Sequence, residues 1–258
     1  MIRTAWVYLV GLIFTLYHGT RVVVHGALKT RRSPEVSDTA ARKWSAQIAK
    51  AAGVTIEYEN ADRLQEHGAQ ILVANHQSWF DVFVLAATLP VTYRFVAKKE
   101  LAKIPLFGAA WQTAGHYAID RSDRQAAIDS LRVAGEHMRK AKHTVVMFPE
   151  GTRSDTGKLG PFKKGASMLA ITAQVPIVPV GLVGTRDLMP KGRWKVRGGR
   201  VKVRVGEPIM TTGMVPGDRE RLTTAAHTAV AQLVGQLGPP ARQSHEPPPT
   251  PPRALSAS

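Results

Sequence analysis

The chain has no cysteine in its 258 residues. That excludes disulfides, a thiolate metal site and a cysteine nucleophile, so histidine, aspartate, glutamate and serine must carry any chemistry, in whatever compartment the protein works. Acidic residues are scarce: 19 Asp and Glu stand against 35 Lys and Arg, a net charge of +16. Such an excess points to a polyanionic partner, whether nucleic acid, an anionic membrane face or a phosphorylated substrate. A G-x-S-x-G nucleophile elbow and the G-x-x-x-x-G-K-[ST] spacing of a P-loop are also missing, as is any internal repeat. No charge-free apolar run reaches the roughly 20 residues of a spanning helix. Ala5 to Tyr17, "AWVYLVGLIFTLY", stops at thirteen.

What is present divides into three parts. Residues 1–30 hold that apolar run, flanked by Arg3 and Arg21 and followed by Val22 to Val24. No convincing small-x-small cleavage site follows it, so we expect a retained anchor that lies in or dips into a bilayer, with Trp6, Tyr8 and Tyr17 suited to its interface. Residues 31–238, in a chain that is 44% hydrophobic, suffice for one sizeable core. Residues 239–258 carry seven of the seventeen prolines and read as a disordered tail.

Within the middle part, strand-like runs recur at Val54–Tyr58, Ile71–Ala74, Tyr93–Ala97, Tyr117–Ile119, Thr144–Phe148, Ile177–Val183 and Arg200–Val205. Helical patterns cover Asp38–Ala52, Ser78–Thr88, Pro105–Ala114, Asp123–Lys142, Lys164–Gln174 and Asp218–Leu237. The alternation predicts an α/β fold, a mainly parallel mixed sheet covered by helices, behind an N-terminal membrane-associated helical segment. In such sheets chemistry gathers beyond the carboxyl ends of strands. Three polar clusters fall there: "NHQSWFD" after Ile71–Ala74, "DR" after "GHYAI", and "PEGTRSD" after "TVVMF".

The first cluster has more than one reading. Ser78-x-x-Asp81 ahead of "VFVLAA" is a serviceable capping box. His76 and Asp81 are five apart, about 140° around a continuous helix, so they meet only if His76 sits in the turn before the helix and Asp81 in its first turn. There Asp81 can fix the imidazole tautomer and leave the other ring nitrogen as a general base. A metal site is less well supported, because no second histidine stands at ligand spacing. A His-Asp pair without a nucleophile suggests that the attacking hydroxyl or water belongs to the substrate.

The third cluster offers Gly151, Thr152, Arg153 and Ser154, then Lys163 and Lys164 before a helix. Glycine-rich backbone, a hydroxyl and a guanidinium suit a phosphate, although an ordinary polar loop has the same composition. Glu150 is expected to orient Arg153 or acceptor hydroxyls, since like charges repel. Arg121 is a second candidate anion ligand, and Lys98 and Lys99 are either anion ligands or a solvated helix start.

Together these residues resemble the glycerolipid acyltransferase family, most closely the 1-acyl-sn-glycerol-3-phosphate acyltransferases. Asn75, His76 and Asp81 match its block N-H-x-x-x-x-D; Gly115 to Arg121 match G-x-x-x-I-D-R; Phe148 to Ser154 match F-P-E-G-T-R-S; Val175 to Val180 match V-P-[IV]-[IV]-P-V. The resemblance implies acyl transfer from acyl-CoA or acyl carrier protein to the free hydroxyl of lysophosphatidic acid, giving phosphatidic acid, with no cofactor and no metal. By the same carry-over His76 is the general base and Asp81 its orienter. Glu150, Gly151, Thr152, Arg153 and Arg121 hold the glycerol phosphate, with Lys99 a further phosphate ligand. One departure is Tyr117-Ala118, where the family often carries a branched aliphatic residue and then an aromatic; it bears on acceptor identity or acyl-chain fit.

The resemblance also gives the charge a use. Arg186 to Arg204 holds eight basic residues and one acid around Met189 and Trp194. Each such charge near an anionic surface contributes about 1 kcal/mol, although a solvated basic hairpin looks the same. Membrane lipids and the acyl carrier are therefore the expected partners, at the cytoplasmic face of a membrane. Competing readings are an acyltransferase for another acceptor, such as glycerol 3-phosphate or a different lyso-lipid, and a non-catalytic lipid-binding protein. Nucleic acid is not expected, because the chain has no recognition module or interleaved aromatic platform.

Overall fold

A computed structural model describes residues 1–64, 68–120 and 124–238. The tail at 239–258 and Arg121 lie outside the described residues. Seven strands, β1 (Val54–Glu59), β2 (Gln70–Ala74), β3 (Tyr93–Lys98), β4 (Tyr117–Ile119), β5 (Thr144–Met147), β6 (Ile177–Val183) and β7 (Gly199–Val205), form one sheet in the order β1-β7-β6-β2-β5-β3-β4. All neighbours pair parallel except β6 with β7. The sheet is thus the mainly parallel mixed one expected, with β2 and β5 at its centre. Central parallel strands are covered on both faces and read as continuous apolar runs; every residue of β2, "QILVA", is buried.

Among the described residues eight α-helices follow or precede these strands: α1 (Ile2–Ala27), α2 (Ser33–Ala51), α3 (Trp79–Thr88), α4 (Phe107–Thr113), α5 (Arg124–Ala141), α6 (Gly165–Ala173), α7 (Thr185–Leu188) and α8 (Arg219–Leu237). Successive strand side chains point to opposite faces, and the core divides accordingly. Leu72, Ala74, Val146 and Val178 pack with Ile48 of α2 and Phe80, Val84 and Leu85 of α3. Ile71, Val73, Val145 and Met147 pack with Met138 of α5, Leu169 of α6 and Val230 of α8. At 0% exposure, Leu72 and Ile71 each anchor one face, and truncating either to alanine should cost about 2–5 kcal/mol.

The amino terminus forms the helical segment expected over residues 1–30. The thirteen-residue charge-free run is part of α1, one continuous helix of 26 residues, long and apolar enough to cross a membrane. It continues past its polar residues because they find partners: His18 Nε2 meets Gln47 Oε1 at 2.8 Å, and Thr4 Oγ1 accepts the Val196 N–H at 3.1 Å. One side buries Val7, Val10 and Val22, while Trp6, Leu9, Leu12, Ile13, Leu16 and Tyr17 are exposed on the other. Helix α2 begins at Ser33, ahead of the expected Asp38, because Pro34 sits in its first turn, where its fixed φ favours a helix and its missing N–H costs nothing. The boundary drawn near residue 30 therefore separates two helices that are tied to each other, by Trp44 Nε1 to Thr15 Oγ1 at 3.0 Å as well as by His18.

Candidate active site

The parallel register sets the carboxyl ends of β2 and β5 side by side, with Val73 opposite Met147. The segments that leave them, 75–81 and 148–154, are consequently neighbours. Ser78 is the N-cap of α3, in extended conformation: its Oγ accepts the Phe80 N–H at 3.2 Å, and the Asp81 carboxylate accepts the Ser78 N–H at 2.8 Å. The capping reading of "NHQSWFD" is correct. His76 stands outside the helix, and its Nδ1 lies 2.7 Å from Asp81 Oδ2. The catalytic reading has the geometry it requires, and the two readings describe one arrangement.

Asp81 is fully buried and receives three donors on one oxygen, since the Gln77 N–H also reaches Oδ2 at 2.6 Å. Its Oδ1 is buried without a hydrogen-bond partner among the described residues. A carboxylate accepts only, so His76 carries its proton on Nδ1 and leaves Nε2 with a lone pair. The ring stacks on Phe148, with centroids 4.1 Å apart and planes 16° from parallel. Ring orientation is thereby fixed from two sides.

The backbone of His76 is held from the other loop. Its N–H donates to Glu150 Oε1 at 2.6 Å and its C=O accepts the Ser154 N–H at 2.8 Å. Glu150 Oε2 takes the Gly160 N–H at 2.9 Å. Both oxygens of Glu150 are therefore committed to backbone, and at 8% exposure the side chain faces no open space. The expected contact of Glu150 with Arg153 is not made among the described residues; its oxygens meet the His76 and Gly160 N–H groups instead. Burial pushes its carboxyl above the usual range, opposed by the N–H groups of Gly160 and His76 and by the His76 side chain.

Two further side chains secure the loops. Asn75 behaves like an extra ladder residue toward β6, donating to Leu182 O and accepting from Leu182 N, both at 2.8 Å. Gln77 Nε2 donates to Gly157 O at 2.8 Å. Neither role was legible in advance, because each depends on which loop lies alongside.

A cavity of about 720 Å³ opens beside His76. Its lining includes His76, Gly151, Thr152 and Arg153 together with the aromatic side chains of Trp79, Phe95, Phe107, Trp111 and Trp44. The wall thus combines a basic side chain and loop backbone with a large apolar, aromatic surface. Arg153 lies over the Trp79 ring, 5.0 Å from its centroid, a cation–π contact between two residues of the cavity lining. The expected cluster of His76, Gly151, Thr152 and Arg153 is thus brought together. Lys99 is not in it: its ammonium is ion-paired with Asp120, and Lys98 lines the cavity instead. Lys98 is the last residue of β3 and Lys99 the first of the 3₁₀ turn that follows it (Lys99–Lys103), where the change of backbone direction separates the two lysines. Among the described residues no group of three or more His, Asp or Glu side chains is arranged to hold a metal.

Comparison with known proteins agrees with this geometry. A family model described as Acyltransferase matches residues 55–183. A 1-acyl-sn-glycerol-3-phosphate acyltransferase of Saccharomyces cerevisiae is 41% identical over 169 residues, covering 65% of this chain and 55% of that protein. The corresponding enzyme of Cocos nucifera is 40% identical over 141 residues, covering 55% and 46%. The human beta form is 36% identical over 178 residues, covering 69% and 64%. The chain thus spans about half the length of the first two and just under two thirds of the third. The crystal structure of the 1-acyl-sn-glycerophosphate (LPA) acyltransferase from Thermotoga maritima superposes with a TM-score of 0.80 at 29% identity, covering 94% of this chain and 97% of that one.

Proposed function

The chain belongs to the acyltransferase family, and on that premise we propose that it transfers a fatty acyl group from acyl-CoA or acyl carrier protein to the sn-2 hydroxyl of lysophosphatidic acid, giving phosphatidic acid. The observation that carries this reading is a His76–Asp81 pair with no nucleophile of its own, whose imidazole lines a cavity shared by the basic Arg153 and a large apolar, aromatic surface. Such a cavity suits a ligand with a phosphate and an alkyl chain.

In this mechanism His76 Nε2 takes the proton of the acceptor hydroxyl as its oxygen attacks the thioester carbonyl. The tetrahedral intermediate collapses, the C–S bond breaks, and the imidazolium returns the proton to the departing thiolate. Asp81 holds the tautomer and stabilises the imidazolium. No covalent acyl-enzyme is needed, and the acyl carrier is a co-substrate, with no cofactor invoked. Arg153, with the backbone at Gly151 and Thr152, holds the acceptor phosphate. Glu150 acts through the His76 backbone as a positioning residue. Arg121 remains a proposed phosphate ligand by its place in the family motif, and Lys99 a more distant one behind its Asp120 partner.

We further propose that α1 lies on or in the cytoplasmic face of a membrane. Its exposed Trp6, Leu9, Leu12, Ile13 and Leu16, near the exposed Trp194 of the basic segment, support this reading; the Tyr8 hydroxyl bonds Trp194 O at 3.1 Å. The test of the activity is to offer the membrane-bound protein labelled acyl-CoA, acyl carrier protein and a panel of lyso-lipids. Phosphatidic acid formed from lysophosphatidic acid is the expected product. Transfer to other lyso-lipids but not to lysophosphatidic acid would assign a different acceptor.

A further inference from the structure

We infer that Lys163, which no motif match assigned, is the second cation of the acceptor-phosphate site, and that with Arg153 it selects a phosphomonoester over a phosphodiester head group. The inference rests on the acceptor reading above and narrows it. Gly151 lines the cavity beside Arg153 and has φ of +76°, a left-handed backbone in which a side chain is strained. A Cβ there would stand 3.0 Å from both Cε and Nζ of Lys163. The lysine is therefore folded back over the bare glycine, which itself lines the cavity. Its backbone N–H is bonded to Pro149 O at 2.8 Å, which fixes its segment against the loop that carries Gly151 and Arg153.

Ion pairing separates these two cations from their neighbours. Lys164 is paired with Glu220, Lys191 with Asp155, Lys98 with Glu100 and Lys99 with Asp120. Neither Lys163 nor Arg153 forms a salt bridge with a carboxylate among the described residues. Lys163 against Gly151 and Arg153 two residues further along the same loop, with no carboxylate partner among the described residues, repel each other, and an anion entering between them relieves that repulsion. A phosphomonoester carries about −1.5 to −2 at neutral pH, which two cations balance. A phosphodiester offers one negative charge and leaves one cation uncompensated. Lys163 and Lys164 look alike in sequence, and only the fold distinguishes them.

The test compares the full chain with Lys163→Met and Lys163→Arg in detergent, using lysophosphatidic acid and lysophosphatidylglycerol as acceptors and glycerol 3-phosphate as a soluble probe of the phosphate site without donor. Losing a charged hydrogen bond should raise the acceptor KM for lysophosphatidic acid about tenfold in Lys163→Met, with kcat changed little. The preference for the monoester should shrink by a similar factor, glycerol 3-phosphate should bind correspondingly more weakly, and Lys163→Arg should restore both. Unchanged KM, preference and probe binding in a folded Lys163→Met would overturn the inference. So would an equal loss of kcat on both acceptors without rescue by arginine. Failure of the acceptor reading looks different: wild-type protein then makes no phosphatidic acid, while glycerol 3-phosphate binding still reports on the two cations.

Discussion

Glu150 Oε1 accepts the backbone N–H of His76 at 2.6 Å, across the boundary between the loops that leave β5 and β2. The two most recognisable motifs of the chain are therefore joined by a hydrogen bond that neither motif suggests alone. Replacing Glu150 with Gln puts an amide N–H₂ against a backbone donor on one side and should cost about 1–3 kcal/mol of stability. In the activity assay kcat should fall while acceptor KM stays near the wild-type value. A raised KM with normal kcat would return Glu150 to the substrate.

Asp81 performs two tasks that substitution can separate. Asp81→Asn keeps the size but lets the amide donate, which removes the reason for the Nδ1–H tautomer of His76; kcat should fall about 10²–10⁴-fold. Ser78→Ala removes an N-cap at a cost of about 1 kcal/mol in stability, and also the bond from Ser78 Oγ to Met189 O. Turnover per folded molecule should survive it. Equal losses of turnover in both variants would mean that the cap and the catalytic role cannot be distinguished.

Arg153 rests on Trp79 with no carboxylate partner among the described residues. Arg153→Ala should raise the KM for a phosphate-bearing acceptor about tenfold or more, with kcat much less affected. If KM and turnover are both untouched, the phosphate does not sit there.

Acid should destabilise the fold through two histidines remote from His76. His116 accepts the Phe95 N–H at 3.0 Å and His143 meets the Tyr117 hydroxyl at 2.9 Å. Burial, reinforced by Arg94, pushes them down from 6.5 to about 3 and about 4. A depressed folded-state value means that the unfolded chain takes up protons first, so stability present above pH 6.5 is lost as pH falls toward about 4. Each proton contributes a slope of about 1.4 kcal/mol per pH unit. Melting curves between pH 7 and 5 should show the fall, and His143→Gln should flatten it. An unchanged slope would mean that His143 is protonated in the fold.

The sheet was legible because its central strands are apolar runs and its β1 and β7 alternate apolar with polar residues, and every expected strand end lies within one residue of the observed one. The His76–Asp81 contact was legible from a spacing that left only one workable geometry. The length of α1 was not, because polar residues interrupt the apolar run in sequence but find partners in space, His18 at Gln47 of α2 and Thr4 at Val196 ahead of β7. Likewise Glu150 resembled a substrate ligand because nothing local shows that Gly160 and His76 would claim its two oxygens. The division between Lys98 and Lys99, and between Lys163 and Lys164, depends on where a strand or loop gives way to a helical turn and on distant Asp120 and Glu220, which adjacent residues do not encode.

The central claim is that His76 deprotonates the acceptor hydroxyl. The most direct test is transfer of a labelled acyl group to lysophosphatidic acid by wild-type protein and by His76→Ala, with melting temperature measured on the same samples. Wild-type protein should make labelled phosphatidic acid, and a folded His76→Ala should make none above background. Retained turnover in that folded variant would contradict the account.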